Sequence, residues 1–189
     1  MRISRFLTAA VAVAASLSAV CAQGRGRGPG LPPPLKVTIP GYSDGGAIPS
    51  TYGCVAGKNA NLSPTIQWSG APDGTQSFAV ILHDTDFMLG ADDVLHWAIF
   101  NIPGTASGLP EGVPTKDKLD DGSQQLTNVG RGQGYFNPCP PPPTVHHYIL
   151  EVFAVDSKLD ASINTRADLM KALAGHVKAK GTYVGTYHQ

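Results

Sequence analysis

Three clusters of polar side chains lie at the end of, or inside, apolar runs of this sequence, and each carries groups able to hold a proton or grip a charge. The first is Asp84-Thr85-Asp86, which directly follows the apolar run ending at His83. In an extended chain residues two apart face the same way, so these carboxylates would share one site; the plainer reading of a lone Asp-x-Asp is the start of a turn. The second is His96, embedded in Val94-Leu95-His96-Trp97-Ala98-Ile99-Phe100. An imidazole inside an apolar strand must find hydrogen-bond partners or its burial is unfavourable. The third runs from Asn137-Pro138-Cys139 through Pro140 to Pro143 and on to His146-His147-Tyr148. A proline run holds an extended, pre-ordered backbone. It delivers His146 and Tyr148 to one face of the following strand and turns His147 away.

Carboxylates beside imidazoles suit two chemistries: a pocket that orients donors towards an anion, and the ligand set of a metal hydrolase. The second lacks its usual signatures. The sequence contains no H-E-x-x-H, no paired-cysteine spacing and no G-x-S-x-G nucleophile turn, so binding is preferred to catalysis and no cofactor is expected.

The 189-residue chain has a formal net charge of +0 with 15% charged residues, so no basic field gathers nucleic acid. The raised content of Gly (22) and Pro (16) favours strands joined by turns over long helices. At the N-terminus Arg2 and Arg5 precede an apolar run from Phe6 to Val20, closed by Cys21-Ala22. This predicts a signal peptide over 1–22 and an exported mature chain, periplasmic or secreted. Lipid attachment at Cys21 is the alternative, disfavoured because Val20 replaces the small residue such sites use. The run is short for a bilayer span, so no transmembrane anchor is expected in the mature chain. Residues 23–34, rich in Gly, Arg and Pro, read as a flexible tether. Loss of Cys21 would leave Cys54 and Cys139 in an oxidising compartment, either paired or as two buried thiols.

The elements that must position the clusters lie within 35–189, which reads as one domain. Leu35 to Ile39 alternates as a strand, and Ile66 to Trp68 is a shorter one. Ser77 to His83, Leu95 to Ile102 and His147 to Val155 are apolar on both faces, as central strands covered on each side would be. One helix is predicted over Ala167 to Lys180, capped at Asn164-Thr165 and stopped by Gly181, with an extended tail after it.

Taken in order, the three clusters resemble one family. The phosphatidylethanolamine-binding proteins, including their bacterial Raf-kinase-inhibitor-like branch, carry an Asp-Pro-Asp segment, a His-Trp strand, and Gly-Pro-Cys-Pro-Pro followed by His-Arg-Tyr. Here those positions read Asp84-Thr85-Asp86, His96-Trp97, Asn137-Pro138-Cys139-Pro140-Pro141 and His146-His147-Tyr148. The likeness continues through Cys54, Asn59 to Pro64, Trp68-Ser69-Gly70, Asn101-Ile102-Pro103 and Gly185-Thr186-Tyr187. Thr85, Phe87-Met88, Asn137 and His147 depart from the usual Pro, Ala-Pro, Gly and Arg.

The resemblance implies a mainly β fold, β-rich α+β: a large, antiparallel-rich sheet packed on a smaller one, with a C-terminal helix. It implies a Cys54–Cys139 disulfide. It also implies a small anion pocket built from Asp84, Asp86, His96, Asn137, Pro138, His146 and Tyr148, for a phosphate-bearing ligand such as a phospholipid headgroup, nucleotide or phosphorylated metabolite. In that pocket Asp84 would orient His96 and favour its charged form, and backbone N–H groups near Asn137 would add donors. Some relatives inhibit kinases or peptidases, so an envelope protein or peptidase is the alternative partner.

Overall fold

The computed structural model describes residues 33–55, 58–59 and 61–189. The predicted signal peptide, and the tether up to residue 32, lie outside the described residues. Within them the chain forms β1 (Lys36–Thr38), β2 (Gly46–Ala47), a 3-10 turn at Ser50–Tyr52, β3 (Cys54–Val55), β4 (Lys58–Asn59), β5 (Ile66–Ser69) and β6 (Ser77–Leu89). It continues as β7 (Asp92–Pro103), β8 (Gly108–Leu109), β9 (Gln124–Gln125), β10 (His146–Val155), helix α1 (Arg166–Leu173) and β11 (Val177–Tyr187).

A six-stranded sheet has the order β2-β11-β10-β6-β7-β9, a three-stranded sheet the order β1-β5-β8, and β3 with β4 makes a small hairpin. Pairing is antiparallel except where β2 lies parallel to β11. The expected mainly β architecture of two sheets and a helix near the C-terminus is the observed one.

The long strands are apolar on both faces because each face packs against something. Ile66, Trp68 and Leu109 of the smaller sheet cluster with Phe78, Val80, Trp97, Leu150 and Val152 of the larger. On its other face Ala79, Ile81, Ala98, Phe100 and Val155 pack against Leu169 and Leu173 of α1. Removing such side chains from water on both sides drives the sheet together, at roughly 25 cal/mol per Å² of apolar surface.

Two irregularities in β7 decide where its side chains point. Register steps from Leu82↔Trp97 to His83↔Leu95, so His96 is an extra residue with no partner across the ladder. A second step, between Phe78↔Ile102 and Val80↔Ile99, accommodates Asn101 at φ 59. Asn tolerates that left-handed conformation. Its amide then donates to the Leu159 carbonyl at 3.0 Å and accepts from the Leu159 N–H at 2.7 Å, tying down the chain beyond β10.

The helix is shorter than its periodicity predicts. Thr165 caps it, accepting from the Asp168 N–H, but it ends at Leu173, and Gly175 takes φ 86 to turn the chain out. Val177 to Lys180, read from sequence as the last helical turn, is instead the start of β11, which pairs with β10 along its length. Gly181 stops no helix. It sits mid-strand where a Cβ would fall 2.6 Å from the Leu35 carbonyl oxygen and 2.5 Å from Val37 Cγ2. Gly181→Ala is therefore expected to destabilise the fold by about 1–3 kcal/mol, since a backbone carbonyl cannot yield as a side chain can. An unchanged urea midpoint would show that the two sheets can part without cost.

Candidate ligand-binding site

Near the end of the large sheet, on the face turned towards the smaller one, three strands bring polar side chains to a common hollow. Asp84 on β6 pairs across the ladder with Tyr148 on β10 and with Val94 on β7. Alternation along β10 buries His146 and Tyr148 and leaves His147 exposed, as the proline run predicts. The bulge at His96 turns that ring into the same hollow; bulges commonly re-aim side chains beside functional sites. The result is a cavity of about 250 Å³ whose polar lining is Asp84, His96, His146 and Tyr148. Its walls are Phe87, Val94, Val129, Phe136, Cys139, Pro140 and Pro141. A larger hollow, about 510 Å³, lies over β1, β5 and β8, but Lys36 is its one ionisable lining residue and is exposed. The smaller cavity is the candidate site.

The two carboxylates of Asp84-Thr85-Asp86 do not share a partner. Asp84 is 3% exposed; its Oδ2 accepts from His146 Nδ1 at 2.7 Å, and its Oδ1 accepts the Asp86 N–H at 2.9 Å. That turn-like bond sends Asp86 to the rim, where its carboxylate accepts the His147 N–H at 2.5 Å and pairs with His147 Nδ1 at 2.9 Å. Burial acts to raise the Asp86 pKa, but the His147 backbone and ring outweigh it and hold the carboxyl below its usual range. Asp86 is thus a strut between β6 and β10 rather than a lining residue. Asn137 and Pro138 are buried behind the wall and do not border the cavity.

His96 is the main correction to the sequence reading. Its Nδ1 donates to the Phe136 carbonyl at 2.9 Å, whereas the carboxylate of Asp84 is taken by His146. Burial is the largest influence on the ring and pulls its pKa below the usual histidine value, against the Phe136 carbonyl and Asp84. His96 therefore favours the neutral form, not the charged one. Phe136 carries no motif of its own, and nothing in the sequence marks a carbonyl forty residues away as the partner of that ring.

Tyr148 stands edge-on to His96, ring centroids 5.1 Å apart. Its hydroxyl is buried and makes no hydrogen bond of ordinary length, although the Asp84 carboxylate and the Cys139 backbone lie close enough to act on it as weak hydrogen-bond partners. Burial, followed by the Asp84 charge, raises its pKa far above that of a free phenol, so the group stays protonated and able to donate. The wall beside it is fixed by a Cys54–Cys139 disulfide and by the Cys54 N–H, which donates to the Pro138 carbonyl at 2.9 Å.

The family model for phosphatidylethanolamine-binding protein matches residues 38–188. The chain belongs to the phosphatidylethanolamine-binding protein family. A UPF0098 protein of Methanothermobacter thermautotrophicus is 38% identical over 149 residues, 78% of this chain and 95% of its own length. The crystal structure of Escherichia coli YbcL, described as a member of the mammalian PEBP family, superposes with a TM-score of 0.73 at 29% identity, over 82% of this chain and 98% of YbcL. LppC of Mycobacterium tuberculosis, named as a candidate lipoprotein, is 30% identical over 159 residues, 80% of this chain and 73% of its own. Set on this phosphatidylethanolamine-binding protein fold, the departures noted in the sequence fall at the rim, except Asn137, which is buried behind the wall. Phe87 supplies part of the cavity wall, while the Thr85 hydroxyl donates to the His147 carbonyl at 3.3 Å.

Proposed function

We propose that this chain is an exported, non-catalytic binding protein whose cavity receives the phosphate-type oxyanion of a small ligand. The observation that carries the reading is the Tyr148 hydroxyl, a buried donor without a hydrogen bond of ordinary length, set beside two imidazoles and the Asp84 carboxylate in a cavity with apolar walls. A buried polar group left unsatisfied costs roughly 1–3 kcal/mol, which a bound oxygen atom would recover. The volume, about 250 Å³, is below the roughly 300–1,000 Å³ of drug-sized sites. It suits a headgroup or phosphoryl group, with the rest of a lipid, nucleotide or metabolite left outside. Export draws support from the disulfide, which suits an oxidising compartment, and from the naming of LppC. No helix among the described residues is long and apolar enough to cross a membrane.

Calorimetry of the mature protein against phosphorylated small molecules tests the reading. Loss of a hydrogen bond to a charged group is worth about 1.5–3 kcal/mol, so His146→Ala should weaken binding about tenfold or more. His147→Ala should change affinity little, because that side chain is paired with Asp86 at the exposed rim and does not line the cavity. Equal damage from both variants would refute the assignment. So would sustained metal-dependent turnover of a phosphoester that His96→Ala abolishes.

One observation favours a second reading, a protein partner that covers the cavity mouth: Phe87, Met88, Leu89 and Val145 are about half exposed. Inhibition of a peptidase that persists in His146→Ala but is lost in a Met88→Asp, Leu89→Asp variant would support it over the first.

A further inference from the structure

Phe136 holds His96 by two bonds. The Phe136 N–H donates to the His96 carbonyl at 2.9 Å, and the Phe136 carbonyl lies 2.9 Å from His96 Nδ1. A carbonyl has no proton to give, so the proton of this contact is on Nδ1. In the neutral ring Nε2 is then a bare acceptor. It meets no hydrogen-bonding partner among the described residues, and the ring borders the cavity. The other titratable groups around it are Asp84 and His83 from β6 and His146 and Tyr148 from β10. Of these only Asp84 favours a second proton on the ring; burial opposes it most strongly, and His146 and His83 oppose it too. No Lys or Arg lines the cavity.

The site so built offers a hydroxyl donor, Tyr148, and, on the ring that stands edge-on to it, an acceptor, His96 Nε2. An oxyanion carrying oxygen lone pairs alone would satisfy the first and set lone pair against lone pair at the second. We propose that the cavity takes its oxyanion with a proton attached: a phosphomonoester or inorganic phosphate whose P–OH donates to His96 Nε2 while a charged oxygen accepts from Tyr148. This rests on the oxyanion reading above and narrows it. Sulfate and phosphodiesters carry no such proton near neutral pH, so a phospholipid diester would be the poorer ligand and a phosphoryl group the better one. A site made to pair with a donor rejects an analogue lacking it more strongly than size alone would.

The probes are methyl phosphate, dimethyl phosphate and sulfate, titrated by calorimetry into the mature protein from pH 5.5 to 8. At pH 5.5 methyl and dimethyl phosphate carry the same single charge and differ in the proton. Methyl phosphate is expected to bind at least about tenfold tighter than dimethyl phosphate. Its advantage should shrink as pH rises through about 6, where a phosphomonoester loses its second proton. In His96→Ala the ratio of the two affinities should fall towards one. Because that variant could misfold, the wild-type ring gives an independent reading: its Nε2 nitrogen resonance should have the unprotonated signature at pH 6 and move on adding methyl phosphate. Equal binding of methyl and dimethyl phosphate, or a protonated Nε2 in the free protein, overturns this inference and leaves the oxyanion reading intact. Absence of binding by all three anions overturns both.

Discussion

Replacing Cys54 and Cys139 together by serine is expected to lower stability by about 2–4 kcal/mol, measured as a drop in the urea midpoint under non-reducing conditions. The bridge links residues 85 apart in sequence, and the unlinked chain regains the conformational freedom that so long a loop denies it. The same change should loosen the ligand site, since Cys139, Pro140 and Pro141 form one of its walls. After the substitution that wall is still held by the Cys54 N–H to Pro138 carbonyl bond and by the Tyr135 hydroxyl, which donates to the Tyr52 carbonyl at 2.8 Å. The expected outcome is therefore a folded, less stable protein with weaker phosphate binding. A variant matching the wild type in both urea midpoint and affinity would mean that these hydrogen bonds alone fix the wall.

Asp84→Ala is expected to have the largest effect of any single substitution at the site. One carboxylate meets both the His146 ring and the Asp86 N–H, and it is almost wholly buried. Its removal strands a buried imidazole N–H and a backbone N–H together. Breaking a buried pair on one side costs about 3–5 kcal/mol. Asp84→Asn should be milder, because the amide oxygen can still accept one of the two bonds. Chemical denaturation at pH 7 checks the order wild type, Asn, Ala, and phosphate calorimetry should follow the same order as His146 loses its anchor. Equal stability of wild type and alanine variant would show that water replaces the carboxylate, and that the pair is not the hinge of the site.

How much of this site was legible depended on whether local chain geometry or distant contacts set each feature. The delivery of His146 and Tyr148 to one face followed from strand alternation after a stiff proline run, and β10 keeps that alternation. The same rule failed at Asp84-Thr85-Asp86, because the Asp86 N–H folds back onto Asp84 and the pairing with β7 slips between Asp84 and Met88. His96 was visible as a polar residue in an apolar strand, but its partner was not. An extra residue in the ladder turns the ring, and a backbone carbonyl from a remote loop accepts the hydrogen bond from its Nδ1–H. At the C-terminus the spacing of Leu169, Leu173 and Val177 suits a helix, yet Gly175 breaks it and β10 supplies a neighbour for every residue from Ala179 to Tyr187. Local periodicity lost there to long-range pairing.

The pair of hydrogen bonds between Phe136 and His96 bears on how such a protein can change over generations. Both of its Phe136 atoms belong to the main chain, so every residue at position 136 keeps the carbonyl that holds the His96 proton on Nδ1, and proline would forfeit only the N–H bond to the His96 carbonyl. Drift at the walls, at Phe87, Val129 or Phe136 itself, can therefore reshape the room for a ligand's substituents without reversing the sense of the hydrogen bond at its centre. In a lineage descended from this chain, new ligands would be acquired by altering the walls around a fixed polar reader, and the reader itself would be lost only by replacing His96.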